Sequence, residues 1–310
     1  MPHQPHQPRA QPSDHVRQPL LQGLRHFLLA LQYFTRIPVT GALARWVGYH
    51  PQMLRHALGH LPGIGLLIGL LSAAVMLLAL TLLPSLQQAP ALAWVAALLS
   101  TVASLWLTGA FHEDGLADLA DGLGGGSDRE RILLIMKDSR IGSFAAVTLI
   151  VALLLKTALL AALLQLGPAL LAASALPAAH VCSRLMPLLL TAWLPHVGDS
   201  AQSKSKPIAT GLQASALRTA LLWLAVSALA VGALLHSGPV AAPASAWLWA
   251  GLGALLCGGL VGWRLRVRLG GFTGDGLGAA QQVGELGFYL ALLMALAPHS
   301  AALVASAASA

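Results

Sequence analysis

Four stretches of the chain contain no Asp, Glu, Lys or Arg: His56–His112, Thr157–Ser183, Thr219–Trp263 and Leu286–Ala310. A helix needs about 20 apolar residues to cross a bilayer. The first and third stretches are each long enough for two crossings with a turn between. Of the 310 residues, 56% are hydrophobic and only 9% charged, against about 25% charged in soluble domains. A soluble enzyme is thereby excluded, as is disorder over most of the chain. A membrane barrel would show alternating segments of about 10 residues, whereas these runs are long and rich in Leu, Ala and Val.

The expected fold is all-α, a polytopic membrane bundle of about seven transmembrane helices with amphipathic surface helices. Spans are expected near 61–83, 91–111, 143–166, 169–194, 211–235, 245–266 and 279–297. Pro84 and Pro90, Gly167 and Pro168, and the Ser237–Pro243 stretch mark turns. Leu20–Tyr33 reads as an amphipathic helix at the membrane surface, and Thr35–His60 as a polar connection. Residues 1–19, rich in Pro, Gln and His, read as a disordered tail without signal-peptide character, ahead of a single catalytic domain over 20–310. Cys182 and Cys257 read as small apolar residues within helices. No internal repeat is apparent.

Basic residues are one-sided. The turns near 84–90, 167–168 and 236–244 have no Lys or Arg. The opposite loops carry Arg129, Arg131, Lys137 and Arg140, then Lys204, Lys206 and Arg218, then Arg264, Arg266 and Arg268. The N-terminus and these loops are therefore expected in the cytoplasm. Topology accounts for the net charge of +7; the expected partner is the lipid bilayer and not nucleic acid, and no oligomeric state follows.

Seven of the eleven acidic residues lie between Glu113 and Asp138. Asp114, Asp118 and Asp121 share one helical face at i, i+4, i+7, where like charges repel. A divalent cation held by Glu113, Asp114, Asp118 and Asp121 would remove that cost. Carboxylates without thiols suit Mg²⁺ or Mn²⁺ better than zinc. His112 precedes the acids. Gly122, Gly124, Gly125 and Gly126 follow, and such a run lets backbone N–H groups approach an anion, though it lacks the ending of a P-loop. Ser127 reads as an N-cap with Glu130 three residues on. Lys137, Asp138, Ser139 and Arg140 form a dense polar group suited to phosphate.

A second polar block, Gly270–Glu285, offers Thr273, Asp275, Gln281, Gln282 and Glu285. Glu285 falls inside a span, where a carboxylate is a functional candidate by default. His180 and Arg184 sit at i, i+4 in another span; Arg184 is expected to hold a phosphate or to pair with an acid. Lys156 is expected to snorkel and stands outside the expected site.

Four blocks together, FTRIP at Phe34–Pro38, FHEDGLADLADGLGGG at Phe111–Gly126, RERILLIMKDSRIG at Arg129–Gly142 and GFTGDGLG at Gly271–Gly278, resemble the cobalamin synthase family, the adenosylcobinamide-GDP ribazoletransferases. The resemblance implies an Mg²⁺-dependent enzyme of the bacterial inner membrane. It would join adenosylcobinamide-GDP to α-ribazole or its 5′-phosphate and release GMP. On that footing Glu113, Asp114, Asp118 and Asp121 are the expected metal ligands, and Asp114, Asp118 and Asp275 the catalytic candidates. His112, Gly124, Gly125, Lys137, Asp138, Ser139, Arg140, Arg184, Thr273, Gln282 and Glu285 are expected to contact substrate. Two alternatives share some of these features. A CDP-alcohol phosphotransferase would show Ala-Arg where Asp118–Leu119 stands, and a cation-coupled transporter would place its acids nearer the bilayer midplane.

Overall fold

The computed structural model describes residues 12–83, 89–197, 212–237 and 242–308. Its helices are α1 (Pro12–Phe34), α2 (Gly41–Val47), α3 (Pro51–Ala57), α4 (Leu61–Leu82), α5 (Pro90–Thr108), α6 (Phe111–Gly125), α7 (Arg129–Ile135), α8 (Ser143–Leu166), α9 (Ala169–Ser183), α10 (Leu185–Trp193), α11 (Ala214–Ser237), α12 (Ala244–Leu269) and α13 (Gly274–Ala308). Among the described residues there is no sheet, only an isolated bridge between His196 and Phe272.

Among the described residues, seven helical segments are long and apolar enough to span a membrane: Gln52–Leu82, Pro90–Thr108, Ser143–Leu166, Ala169–Trp193, Ala214–Ala233, Ala244–Leu269 and Gly274–Pro298. The seven-helix expectation holds, with changes at the edges. The first span begins about nine residues earlier than expected, because α3 runs through a short 3-10 turn (Leu58–His60) into α4. The Thr35–His60 connection is therefore partly helical, containing α2 and α3. Helix α1 starts at Pro12, so part of the segment read as a disordered tail is helical; the rest, 1–11, lies outside the described residues. Lys204 and Lys206 also lie outside them.

The span Ala169–Trp193 is the most buried of the seven, and the spans formed by α11 and α12 are the least buried. The former is central and the latter two peripheral. Large apolar side chains on the outer faces, among them Leu98, Val102 and Trp106 on α5, Ile150 and Leu154 on α8, and Leu248, Leu256 and Leu260 on α12, are exposed. A soluble protein would not present so much apolar surface; a bilayer removes that cost.

Helix α6 is not a span. At 15 residues it is too short, and it packs against α13, α8 and α7. It is severed from α5 by two successive left-handed residues, Gly109 at φ 67° and Ala110 at φ 58°. Ala110 is the one non-glycine with positive φ among the described residues, a conformation that costs a β-carbon residue roughly 1–2 kcal/mol. The expected span to 111 therefore stops at Thr108, and the acidic segment turns onto its own helix. At the same end of the bundle, Val197 N–H donates to the Phe272 carbonyl (2.9 Å) and Phe272 N–H to the Pro195 carbonyl (2.8 Å), which fixes the approach to α13.

Candidate active site

The site is assembled where the start of α6 crosses the start of α13. Gly115 makes the crossing close: a Cβ there would lie 2.7 Å from the Asp275 carbonyl oxygen and 2.9 Å from its Cα. Gly278 likewise faces the backbone of His112. The crossing brings Asp275 beside the acidic face of α6. Thr273 Oγ1 accepts a hydrogen bond from Gly276 N–H (3.0 Å) and so caps α13. Asp275 lies in the first turn, where a carboxylate suits the helix dipole.

Glu113, Asp114, Asp118 and Asp121 all line one cleft of about 450 Å³, together with Ser139 and Arg140 from the loop before α8, Arg36 from the end of α1, and Ala145 and Leu149 from α8. The i, i+4, i+7 face predicted from spacing is thus the cleft wall. Burial, then the nearby charges of Asp275, Asp114 and Asp121, push the Asp118 carboxyl up to about 7. Asp114 is exposed and makes no side-chain hydrogen bond to the described residues.

The four acids are not equivalent. Asp121 accepts hydrogen bonds from Gly142 N–H (2.6 Å) and Ala145 N–H (2.8 Å), so its carboxylate caps the start of α8 from another helix. Glu113 is buried, and its Oε1 accepts from Gln282 Nε2 (2.8 Å). Burial raises the Glu113 carboxyl, against the pull of Lys156. Among the described residues, no three His, Cys, Asp or Glu side chains form a preformed metal cage. The donor set nonetheless fits a hard divalent ion. It is all carboxylate, it contains an unpartnered pair in Asp114 and Asp118, and burial with neighbouring negative charge disfavours ionised Asp118, a cost a bound cation would relieve.

Behind Glu113 lies a buried polar network. Gln282 Nε2 also donates to Gln281 Oε1 (3.0 Å), and Gln281 Nε2 donates to Glu285 Oε2 and to Ser183 Oγ, both at 3.0 Å. Glu285 Oε1 accepts from Tyr289 (3.2 Å) and pairs with Lys156 at 2.7 Å. Lys156 also donates to Ser104 (3.3 Å). Lys156 does not snorkel: its side chain is 3% exposed, because α8 turns it inward onto Glu285 of α13. Arg184, fully buried where α9 meets α10, bonds His180 Nδ1 (2.7 Å) and the His180 carbonyl (3.1 Å). Neither Arg184 nor Glu285 lines the cleft. His112 is buried beside this network, and its burial there, with Arg184 nearby, holds its imidazole well below the usual histidine range. Sequence reasoning missed Lys156 as a partner; the signal for it was Glu285, an opposite charge in another span.

Two expectations about the following segment are corrected. The glycine run is not an anion-cradling loop. Helix α6 continues through Gly125, and a Cβ on Gly124 would collide with the Phe144 ring, while one on Gly125 would press on Ile135 (3.2 Å). Gly124 and Gly125 serve the packing of α7 and α8, and neither lines the cleft. The cap of α7 is Asp128, whose Oδ1 accepts from Arg131 N–H (2.9 Å); Ser127 donates its hydroxyl to Asp128 Oδ2. Beyond α7, Asp138 grips Arg140 (Nη2 to Oδ2, 2.6 Å), and the hydrogen bonds from Arg140 hold the Asp138 carboxyl down at about 2. Lys137 and Asp138 do not line the cleft that Ser139 and Arg140 line.

A family model described as cobalamin-5-phosphate synthase matches residues 26–293. Relatives include adenosylcobinamide-GDP ribazoletransferases from a Polaromonas species (49% identical, covering 90% of this chain and 99% of the relative), Albidiferax ferrireducens (50%, 89% and 99%) and Leptothrix cholodnii (42%, 88% and 97%). No solved structure matches.

Proposed function

The chain belongs to the cobalamin-5-phosphate synthase family, and from that premise we propose that it is an adenosylcobinamide-GDP ribazoletransferase. It joins adenosylcobinamide-GDP to α-ribazole or its 5′-phosphate and releases GMP. The observation that carries the reading is the cleft lined by Asp114, Asp118 and Asp121 together with Ser139 and Arg140, within a chain matched along nearly its whole length by enzymes of that name. In the reaction a ribazole hydroxyl oxygen attacks the phosphorus attached to cobinamide. The bond from that phosphorus to the GMP oxygen breaks, and the hydroxyl proton passes to a base.

Asp114 and Asp118 would hold Mg²⁺, with Asp121 contributing only what its capping of α8 leaves free. Bound there, the ion supplies charge neutralisation for the pyrophosphate. Asp275, whose backbone packs against α6 at Gly115, does not itself line the cleft; it would receive the hydroxyl proton from beside the acids. Arg140, oriented by Asp138, and Ser139 would hold phosphate oxygens. Thr273, Gln282, His112, Arg184 and Glu285 then act from behind the cleft, by fixing α13 and Glu113, and not by touching phosphate. Positioning accounts for most of the rate in such a displacement.

The acids share their end of the bundle with Arg129, Arg131, Arg140, Arg264, Arg266 and Arg268, and the opposite turns have no Lys or Arg. That asymmetry supports a cytoplasmic cleft, where nucleotides and Mg²⁺ would be available, in a chain of the bacterial inner membrane. The test is GMP release by purified protein supplied with adenosylcobinamide-GDP and Mg²⁺. Release that needs α-ribazole or its phosphate supports the reading; release without either, or none with both, contradicts it.

A further inference from the structure

Arg36 lies outside every role assigned above, yet three local devices hold it at the acidic cleft. Thr35 Oγ1 donates to the Leu31 carbonyl (2.6 Å) and accepts from Ile37 N–H (3.1 Å), closing the end of α1 around Arg36. Arg36 N–H donates to the Leu107 carbonyl (2.7 Å), pinning its backbone to the last turn of α5. Its side chain crosses Gly109, where a Cβ would collide with Arg36 Nε. The left-handed Gly109, which helps separate α5 from α6, thus also makes room for the Arg36 side chain.

Arg36 and the aspartates line the same cleft, yet among the described residues the Arg36 side chain has neither an ion-pair nor a hydrogen-bond partner. The cleft's other guanidinium, Arg140, is already engaged by three hydrogen bonds to Asp138. An exposed arginine fixed by its backbone and left unpaired in a cleft lined by carboxylates suits a ligand whose anionic oxygens can meet both a cation and a guanidinium. We infer that Arg36 binds a phosphate of the nucleotide substrate, holding the pyrophosphate in the cleft that the acids also line. This deepens the functional reading and rests on it for the identity of the nucleotide.

Arg36→Gln and Arg36→Lys test it, with inorganic pyrophosphate as probe. Pyrophosphate binding to detergent-purified protein in Mg²⁺ is measured by calorimetry, and the KM of each substrate by GMP release. Loss of a charge-assisted bidentate contact predicts roughly 10–100-fold weaker pyrophosphate binding in Arg36→Gln. The KM for adenosylcobinamide-GDP should rise by a similar factor, the KM for α-ribazole should stay within about twofold, and Arg36→Lys should fall between. Unchanged pyrophosphate affinity, or a rise confined to the α-ribazole KM, would overturn the inference. So would a fall in melting temperature in both variants with normal affinity in the folded protein, which would assign Arg36 to packing over Gly109. If wild-type protein released no GMP, the functional reading would fail, while the pyrophosphate measurement would still judge Arg36.

Discussion

The ion pair between Lys156 and Glu285 joins α8 to α13 behind the cleft, with side chains 3% and 1% exposed and 2.7 Å between the charged atoms. Lys156→Met keeps most of the side-chain volume and removes the charge. Glu285 then retains Gln281 and Tyr289 as donors but loses its cation in contact. Breaking one side of a buried pair costs about 3–5 kcal/mol. Among the described residues the buried acidic and basic side chains, histidines aside, are Lys156 and Arg184 against Glu285 and Glu113. Lys156→Met leaves this set one negative charge in excess, Glu285→Gln leaves one positive, and the double variant restores balance. The double variant should therefore be more stable than the sum of the single losses by at least about 2 kcal/mol. At roughly 2 °C per kcal/mol for a large chain, Lys156→Met should lower the melting temperature by about 6–10 °C, followed by tryptophan fluorescence in detergent. A shift under about 1 °C, or strict additivity in the double variant, would refute the buried pair and restore the snorkelling lysine.

Three further outcomes are expected. Asp118, pushed up to about 7 by burial and its acidic neighbours, is protonated below that pH and cannot then ligate. Mg²⁺ affinity should accordingly strengthen as pH rises from about 6 to 8 and weaken as it falls, with a lower midpoint in Asp275→Asn; calorimetric Mg²⁺ titration showing no pH dependence would contradict this. Gly109→Ala combines a left-handed φ with a Cβ on Arg36, and should cost about 1–2 kcal/mol of stability, read as a lower melting temperature; no change would contradict it. In a variant lacking Cys182 and Cys257, a cysteine at Ser127 should be shielded from an impermeant thiol reagent in intact cells and one at Gly167 labelled, since α8 separates them; the reverse would invert the topology.

The spans were legible because lipid forces an unbroken apolar run, which Thr157–Ser183 and Thr219–Trp263 display without tertiary information. The cleft wall was legible for a related reason: helical periodicity alone puts Asp114, Asp118 and Asp121 on one face. The break after Thr108 was less so, because the apolar run continues to Phe111 and only Gly109 marks the turn. Lys156 shows the limit most clearly. A lone lysine in an apolar helix can reach the interface or turn inward, and the choice depends on which face meets Glu285 of α13. The glycines after Asp121 were open to two uses, and the packing of Phe144 and Ile135 decided for close helix contact. Arg36 stood in a recognisable block, yet its place beside acids some 80 residues later in the chain exists only in three dimensions.

The most direct test of the central claim measures GMP release from adenosylcobinamide-GDP and α-ribazole across a range of Mg²⁺ concentrations, in wild type, Asp114→Asn, Asp118→Asn and Asp128→Asn. Asparagine keeps the shape of each acid but weakens its hold on a cation. Both cleft variants should insert and purify normally, lose at least about 100-fold in rate at limiting Mg²⁺, and recover in part as Mg²⁺ is raised. Asp128→Asn should stay near wild type, because Asn caps a helix about as well as Asp and Asp128 caps α7 outside the cleft. Full activity in both Asp114→Asn and Asp118→Asn at limiting Mg²⁺ would contradict the account.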